Sequence, residues 1–289
     1  MANQQPPTPS GALQLQALFP LAMGMVQLPI DPLDVALQMQ AIRELQGEAS
    51  SNPDPGCAWT GDLNGVWQLH RHPTFAPLIT TLTGHAAAYL ERLGFEPSRL
   101  ALHIQRCWPV VSEQGQVVGR HHHPNAHLSA VYYLNGDGTG RSGCLRFFAP
   151  RQSNELVPGL AVGHDGPILT DAPATAQWNA PWFDLAPQAG LLVLFPASVD
   201  HAVLANEDPD DSRFSISLDL VLSAPAASVE SERDGHQSEY LSPHPADWQA
   251  VDTQIAHQNQ LAPAPSAPAP SAAVDHSAAV ADPGRGDRD

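Results

Sequence analysis

Histidines crowd into one short stretch of this 289-residue chain, and one more stands far along the sequence. His121, His122, His123 and His127 fall within seven residues, and His201 lies inside a later apolar run. Neutral imidazole nitrogen is a good ligand for iron, zinc and copper. These residue types therefore indicate a metal site that combines a local histidine group with one distant histidine.

Strand geometry selects among these histidines. In a strand, residues i and i+2 point to the same face, so His121 and His123 project together while His122 points away. The run Val199–Leu204 predicts a second strand, with His201 on one of its faces. We therefore predict His121, His123 and His201 as the metal ligands, with the remaining coordination positions open.

Other assignments within the histidine group are open on the sequence alone. Asn125 and His127 are the next candidates if His123 is not a ligand. His122 replaces His121 if the strand register slips by one residue. A further interpretation is that the adjacent histidines form an exposed patch with weak metal affinity.

An arginine and a serine follow the distant histidine at strand spacing. Arg213 and Ser215 are two residues apart in a predicted strand, so both point to one face. The planar guanidinium matches a carboxylate in bidentate fashion and stays charged at physiological pH. We predict that both side chains bind one carboxylate. The alternative is a surface arginine paired with Asp210 or Asp211.

Two helices are predicted ahead of these motifs. Asp31 and Pro32 form an N-cap and first-turn signal, and apolar residues at helical spacing continue to Gly47. Apolar residues recur at three and four positions across Phe75–Leu93, and Gly94 is typical of a helix end.

The segments after residue 100 are short, apolar and separated by turn-forming residues, which predicts strands. They are Leu100–Val111, Leu128–Leu134, Cys144–Phe148, Gly190–Pro196, Val199–Leu204 and Phe214–Leu222. Their aromatic residues Trp108, Tyr132 and Phe148 are candidates to line a cavity. Two helices followed by at least six strands predict a mainly β fold. In it, the flanking N-terminal helices pack on a β-sandwich or jelly-roll barrel.

Composition divides the chain into three parts. Residues 1–11 contain three prolines and no apolar pattern, which predicts a disordered tail. Residues 12–223 form the predicted folded domain, in which the segment 151–188 is either a lid over the site or a connecting loop. Residues 224–289 are acidic and rich in alanine and proline, which predicts a largely disordered tail.

Charge and cysteine usage limit the classes of function. A net charge of −17 argues against nonspecific binding of nucleic acid and against anionic membranes. Three cysteines without a C-x-x-C pair predict free thiols in a reducing compartment. Without an evident secretory signal or a bilayer-spanning run, we expect a cytoplasmic protein that acts on a small molecule, a peptide or a protein.

An ordered set of motifs runs from about Leu18 to Leu222. It comprises Leu18-Phe19-Pro20, Cys107-Trp108-Pro109, His121 to Pro124, Leu128 to Tyr133, Gly190 to Pro196 with His201, and Arg213-Phe214-Ser215. As a set these motifs resemble the 2-oxoglutarate/Fe(II)-dependent oxygenases of bacteria and phages. The resemblance implies a double-stranded β-helix (jelly-roll) core, with Fe(II) and 2-oxoglutarate as cofactors.

The resemblance also implies a role for each candidate residue. His121, His123 and His201 match the metal-ligand positions, and Arg213, helped by Ser215, matches the anchor for the cosubstrate. The reaction it implies is hydroxylation of a C–H bond, coupled to decarboxylation of 2-oxoglutarate to succinate.

One position departs from the family pattern in its charge. These oxygenases usually place an Asp or Glu two residues after the first histidine, and this chain has His123 there. A third neutral ligand leaves more positive charge on the metal. The ligand set therefore also permits a cupin-like three-histidine enzyme that does not use 2-oxoglutarate, and a non-catalytic binding protein on the same barrel is a further alternative.

Overall fold

The part of the chain described by the structure, a computed structural model, is residues 20–49, 52, 54–150, 180–226 and 241–250. Residue contacts divide the chain into two units, Met1–Asp247 and Trp248–Asp289. The fold below belongs to the first unit, and in the second only residues 248–250 are described. The predicted tail 1–11, residues 151–179 of the predicted lid and most of the predicted C-terminal tail lie outside the described residues.

Both predicted helices are confirmed, with ends within one residue of those expected. Helix α1 spans Pro32–Glu48, and the Asp31 side chain caps it by accepting a hydrogen bond from the backbone N–H of Leu33 at 2.8 Å. Helix α2 spans Ala76–Arg92 and buries the apolar residues that recur along one of its faces. No helix in the described ranges is long and apolar enough to cross a membrane.

All six predicted strands are present, together with four more, within the described residues. The strands are β1 Gly24–Gln27, β2 Trp59–Thr60, β3 Ala101–Ser112, β4 Val118–His121, β5 Leu128–Tyr133, β6 Leu145–Phe148, β7 Trp182–Leu185, β8 Leu191–Pro196, β9 His201–Val203 and β10 Arg213–Ser223. The sequence pattern missed β2 and β7 because each is short and lacks a clear apolar alternation. Strand β4 contains His121 of the predicted ligand strand but ends there, and β1 lies in Leu13–Ile30, whose pattern predicts an opening strand or extended segment.

The strands pair into two antiparallel sheets. In the described part of the chain, the larger sheet has the order β1-β8-β5-β10-β3-β2 and the smaller one the order β4-β9-β6-β7. From β3 to β10 the chain passes back and forth between the two sheets. This strand order is that of a double-stranded β-helix, or jelly roll, and it confirms the predicted fold class.

Strand β10 separates the core from the interior of the barrel. Its residues Phe214, Ile216, Leu218 and Leu220 pack in the same core cluster as Ile42 of α1 and Leu82 of α2. The residues between them, Arg213, Ser215, Ser217 and Asp219, are also buried and lie on the opposite face of the strand. The helices therefore cover one face of the larger sheet, and a row of polar side chains lines the other.

The chain beyond β10 keeps contact with the domain for a few residues. The backbone N–H of Ala224 donates to the carbonyl of Ser242 at 2.8 Å, and Leu241 packs against the core. The described part of the segment predicted as a disordered tail thus includes residues that touch the folded unit.

Gly190, just before β8, should resist substitution more than a glycine in open space. Its φ is +83°, and a Cβ there would lie 2.5 Å from the carbonyl oxygen of Leu28 in the neighbouring chain segment. We expect Gly190→Ala to lower the free energy of unfolding by more than Gly94→Ala, whose glycine has φ +93° but no atom within 4 Å. Backbone strain alone costs about 1–3 kcal/mol. Urea denaturation measures both losses, and equal losses would contradict the proposed clash.

Candidate metal centre

Three histidines from separate parts of the fold converge inside the barrel. His121 ends β4 and lies directly opposite His201, the first residue of β9. His123 lies two residues beyond β4, where its backbone N–H donates to the carbonyl of Ala197 at 2.9 Å. One ring nitrogen from each histidine lies within 4.8 Å of the others. The structure thus brings together the three predicted ligands, although His123 is in a loop rather than in the predicted strand.

The hydrogen bonds of the three rings leave the same nitrogen free on each. His121 and His201 donate from Nδ1 to the backbone carbonyl two residues earlier, at 2.7 and 2.9 Å. His123 donates from Nδ1 to the carboxylate of Asp219. Because these oxygens accept the Nδ1 proton, each Nε2 keeps a lone pair for a metal.

Burial also favours the neutral form that a metal requires. Desolvation lowers the pKa of His121, and the proximity of His123 lowers it further. Desolvation, together with the nearby His121, lowers the pKa of His201 to about 3. Neutral imidazole is the metal-binding form, so protons compete little for these two nitrogens at neutral pH.

The other histidines of the group make different contacts. His122 is about half exposed and its Nδ1 lies 3.0 Å from the carboxylate of Asp200. Asn125 and Gln105 hydrogen-bond to each other, and Nδ1 of His127 accepts a backbone N–H from β10. The structure does not bring these alternative candidates into the histidine cluster.

Asp219 is a member of the site that the sequence reasoning missed. Its Oδ1 accepts from His123 and from the Ser129 hydroxyl, and its Oδ2 accepts from Nε and Nη2 of Arg106. Burial raises the pKa of Asp219, but hydrogen bonds and charges from His123 and Arg106 outweigh it and hold the pKa below its usual value. Asp219 is therefore a buried, ionised carboxylate directly behind one ring of the cluster.

A signal for Asp219 is present in the sequence. In β10, polar residues occupy every second position from Arg213 through Ser215 and Ser217 to Asp219, and apolar residues fill the positions between. Strand alternation places the aspartate on the same face as the predicted anion site. Extending the pattern by four residues would have added Asp219 to the candidates.

Arg213 lies at the start of β10 with its guanidinium buried. The residue is 1% exposed, and Nη1 donates to the carbonyls of Ser142 and Gly143 at 2.9 and 2.8 Å. Nε and Nη2 have no hydrogen-bond partner among the described residues. Desolvation lowers the pKa of Arg213, yet arginine stays protonated in proteins. A buried cation with two unpaired donors is unfavourable, so this guanidinium is expected to bind an anion.

One cavity of about 420 Å³ contains both the histidines and Arg213. Ser215 also lines it, two residues along β10 from the arginine. Of the aromatic residues predicted to line a cavity, Trp108 does so. Tyr132 instead packs in the core with the helices, and Phe148 lies under the guanidinium of Arg120, because both point away from the barrel interior.

A family model covers the segment that holds this site. Residues 106–219, from Arg106 in β3 to Asp219 in β10, match the family described as "Putative 2OG-Fe(II) oxygenase". The segment that holds the site thus resembles the 2-oxoglutarate/Fe(II) oxygenases. The match confirms the family resemblance inferred from the motifs over residues 106–219, and together with the histidine cluster it supports Fe(II) and 2-oxoglutarate as the expected cofactors.

The side chains of the site fit both expected cofactors. Three imidazole nitrogens within 4.8 Å of one another suit a divalent iron. The two unpaired donors of Arg213 suit one carboxylate of a dicarboxylate. The metal and the anion therefore have separate sets of partners within one cavity.

Solved structures with similar folds include oxygenases of several kinds. A prolyl-4-hydroxylase from Pseudomonas putida is 20% identical, with 70% of this chain and 92% of that chain covered and a TM-score of 0.44. HygX from Streptomyces hygroscopicus, solved with nickel and 2-oxoglutarate, is 11% identical, covering 70% and 83%, with a TM-score of 0.42. The carbocyclase SnoK from nogalamycin biosynthesis is 16% identical, covering 80% and 90%, with a TM-score of 0.48. No curated protein matches the chain.

The low pKa of His201 predicts a pH-dependent stability of the metal-free protein. Below about pH 6.5 the unfolded chain protonates this histidine, whereas the folded chain keeps it neutral until about pH 3. The unfolded state then binds more protons, so stability falls as the pH falls through this range. We expect His201→Gln to flatten the fall by up to about 1.4 kcal/mol per pH unit.

Urea denaturation with a chelator present, between about pH 7 and pH 4, measures this slope. His122→Gln is the matched control, since His122 is a half-exposed neighbour of the same cluster. Identical slopes for wild type and His201→Gln would show that burial does not keep His201 neutral.

Proposed function

We propose that the protein is a 2-oxoglutarate-dependent oxygenase that hydroxylates a C–H bond of its substrate while 2-oxoglutarate is decarboxylated to succinate. One observation carries the proposal: a cluster of three imidazoles and a buried arginine with two unpaired donors share one cavity. A metal site alone would not require the arginine. A site for a metal and a dicarboxylate cosubstrate uses both.

His121, His123 and His201 would hold the iron through Nε2. Their Nδ1 hydrogen bonds fix the direction of each ring before the metal arrives, which lowers the cost of organising the site. Bound Fe(II) supplies the redox chemistry, in which dioxygen is used to oxidise 2-oxoglutarate and the substrate. Three protein ligands leave the other coordination positions for the cosubstrate and dioxygen.

Arg213 would bind the carboxylate of 2-oxoglutarate that is remote from the metal. Nε and Nη2 are the two donors of a bidentate pair, and Nη1 is already held by the carbonyls of Ser142 and Gly143. The Ser215 hydroxyl, on the same strand face, is placed to add a further hydrogen bond. Because the guanidinium is buried, this ion pair would be little screened by water.

The cavity limits the size of the substrate. A volume of about 420 Å³ must hold 2-oxoglutarate and the reacting part of the substrate together. We therefore propose that the substrate is a small molecule, or a single side chain of a peptide or protein. Trp108, Tyr133 and Phe195 supply apolar walls, and Asp62 and Arg106 supply charges for recognition.

A three-histidine enzyme that does not use 2-oxoglutarate is the second candidate. The observation in its favour is the ligand set, which lacks the carboxylate common in 2-oxoglutarate oxygenases. Against it, the unpaired donors of Arg213 would then be buried without a partner, at a cost of several kcal/mol. The first proposal accounts for both features.

Anaerobic addition of Fe(II) and then 2-oxoglutarate to the protein tests the proposal. We expect a weak visible charge-transfer band when 2-oxoglutarate chelates the iron. Arg213→Gln should raise the concentration of 2-oxoglutarate needed for half of the band by about 100-fold or more, because a charge-assisted bidentate pair is lost. Arg120→Gln is the control, since Arg120 is an exposed arginine at the same cavity that pairs with Asp200.

The other outcomes separate the alternatives. Iron binding without the band in the wild-type protein would favour the second candidate. Absence of iron binding would leave a non-catalytic binding protein. Oxygen-dependent formation of succinate, measured in parallel, links the band to turnover.

A further inference from the structure

We propose that Asp219 is the positioning residue of the metal centre. Its carboxylate accepts a hydrogen bond from Nδ1 of His123 and thereby fixes the orientation of that ring. The same carboxylate supplies a negative charge next to the ligands, none of which is charged. The inference rests on the proposed function, because it assumes that His123 binds the iron.

The three ligand rings are held in different ways. His121 and His201 lie in strands, and backbone carbonyls fix their rings. His123 lies beyond the end of β4, and its ring contacts side chains instead, the carboxylate of Asp219 and the hydroxyl of Ser129. The orientation of His123 therefore depends on Asp219 more than the other two rings depend on any single side chain.

The sheet places Asp219 for this role. In the register of the larger sheet, Asp219 of β10 lies opposite Ser129 of β5 on one side and opposite Arg106 of β3 on the other. These cross-strand neighbours bind different oxygens of the same carboxylate. Arg106 occupies Oδ2, so Oδ1 is turned toward Ser129 and His123. The aspartate has one orientation available, and it faces the ring.

Charge balance gives this contact a consequence for the metal. Three neutral imidazoles leave the full charge of a divalent ion uncompensated by ligands. A carboxylate that accepts the Nδ1 proton makes the imidazole a stronger donor through Nε2. Arg106, which would oppose this effect, is itself paired with Asp62 at 3.2 Å. The set of Asp62, Arg106 and Asp219 therefore carries one net negative charge beside the metal centre.

A purely structural ion pair between Asp219 and Arg106 is the competing explanation. Removing either member of a buried pair destabilises the fold, because the other charge is left unpaired. Under that explanation the two residues are equivalent, and neither has a particular effect on the metal. Under our proposal, replacing Asp219 lowers the affinity for the metal, whereas replacing Arg106 does not.

The test is a comparison of metal affinity in Asp219→Asn, Arg106→Gln and the double variant. Apoprotein is titrated anaerobically with Fe(II) against a competing chelator, without 2-oxoglutarate or substrate. We expect Asp219→Asn to weaken Fe(II) binding about 10- to 100-fold, as is typical for loss of an outer carboxylate. Arg106→Gln should lower the melting temperature of the metal-free protein but change Fe(II) affinity by less than about threefold.

The double variant keeps the test decisive if Asp219→Asn does not fold. It removes both charges of the Asp219–Arg106 pair, so neither is left facing an empty partner, and only the partly exposed Asp62 loses its arginine. It should fold and show the same loss of Fe(II) affinity as the single aspartate variant. Asp200→Asn is the matched control, because Asp200 also pairs with an arginine and a histidine beside the cavity but does not contact a ligand ring.

Three results would overturn the proposal. They are an Asp219→Asn or double variant that binds Fe(II) like the wild type, an equal loss in Arg106→Gln, and an equal loss in Asp200→Asn. These results leave the proposed function intact, since the iron site would still exist. Conversely, a wild-type protein that binds Fe(II) through Asp219-dependent histidines but forms no succinate would contradict the proposed function alone.

Discussion

Strand β10 imposes the constraint on which the rest of the structure depends. Its side chains must point alternately to two faces, and the sequence gives these faces opposite chemistry. Apolar residues meet the helices, and the row from Arg213 to Asp219 meets the barrel interior. A shift of one residue in register would bury the charged row against the helices and expose the apolar row to the cavity.

The polar face of β10 connects two functions along one strand. Arg213 lies at one end, with two unpaired donors, and Asp219 lies near the other, hydrogen-bonded to His123, one of the predicted metal ligands. Since both belong to one rigid strand in the middle of the larger sheet, the separation between the anion site and the metal site is set by backbone geometry. The strand thus sets the spacing of Arg213 and Asp219, and the adjoining loops add His123 and the carbonyls that hold Arg213.

Under the proposed function, charge compensation would account for a histidine at the position where 2-oxoglutarate oxygenases usually have a carboxylate. A carboxylate at position 123 would face Asp219, and two adjacent buried carboxylates would repel each other. An imidazole there does the opposite, because its Nδ1–H donates to Asp219 and Nε2 keeps its lone pair. His123 and Asp219 therefore act as one unit under this proposal. The negative charge lies on a residue that contacts the ligand and not on the ligand itself.

The sequence by itself determined the local features of this protein. The Asp31 cap and the apolar spacing of α2 predict both helices, and the apolar runs predict six of the strands. The histidine types and the Arg213–Ser215 spacing also indicated a metal and a carboxylate site. These signals are carried by neighbouring residues, because helix and strand periods repeat within a few positions.

Only the tertiary structure decided which of those residues meet. His121 and His201 face each other because β4 pairs with β9, and Asp219 reaches Arg106, 113 residues away, because β10 pairs with β3. Strand partners so distant in sequence are set by the packing of the whole barrel. No local pattern of residues specifies that order, and for this reason the role of Asp219 emerged from the fold.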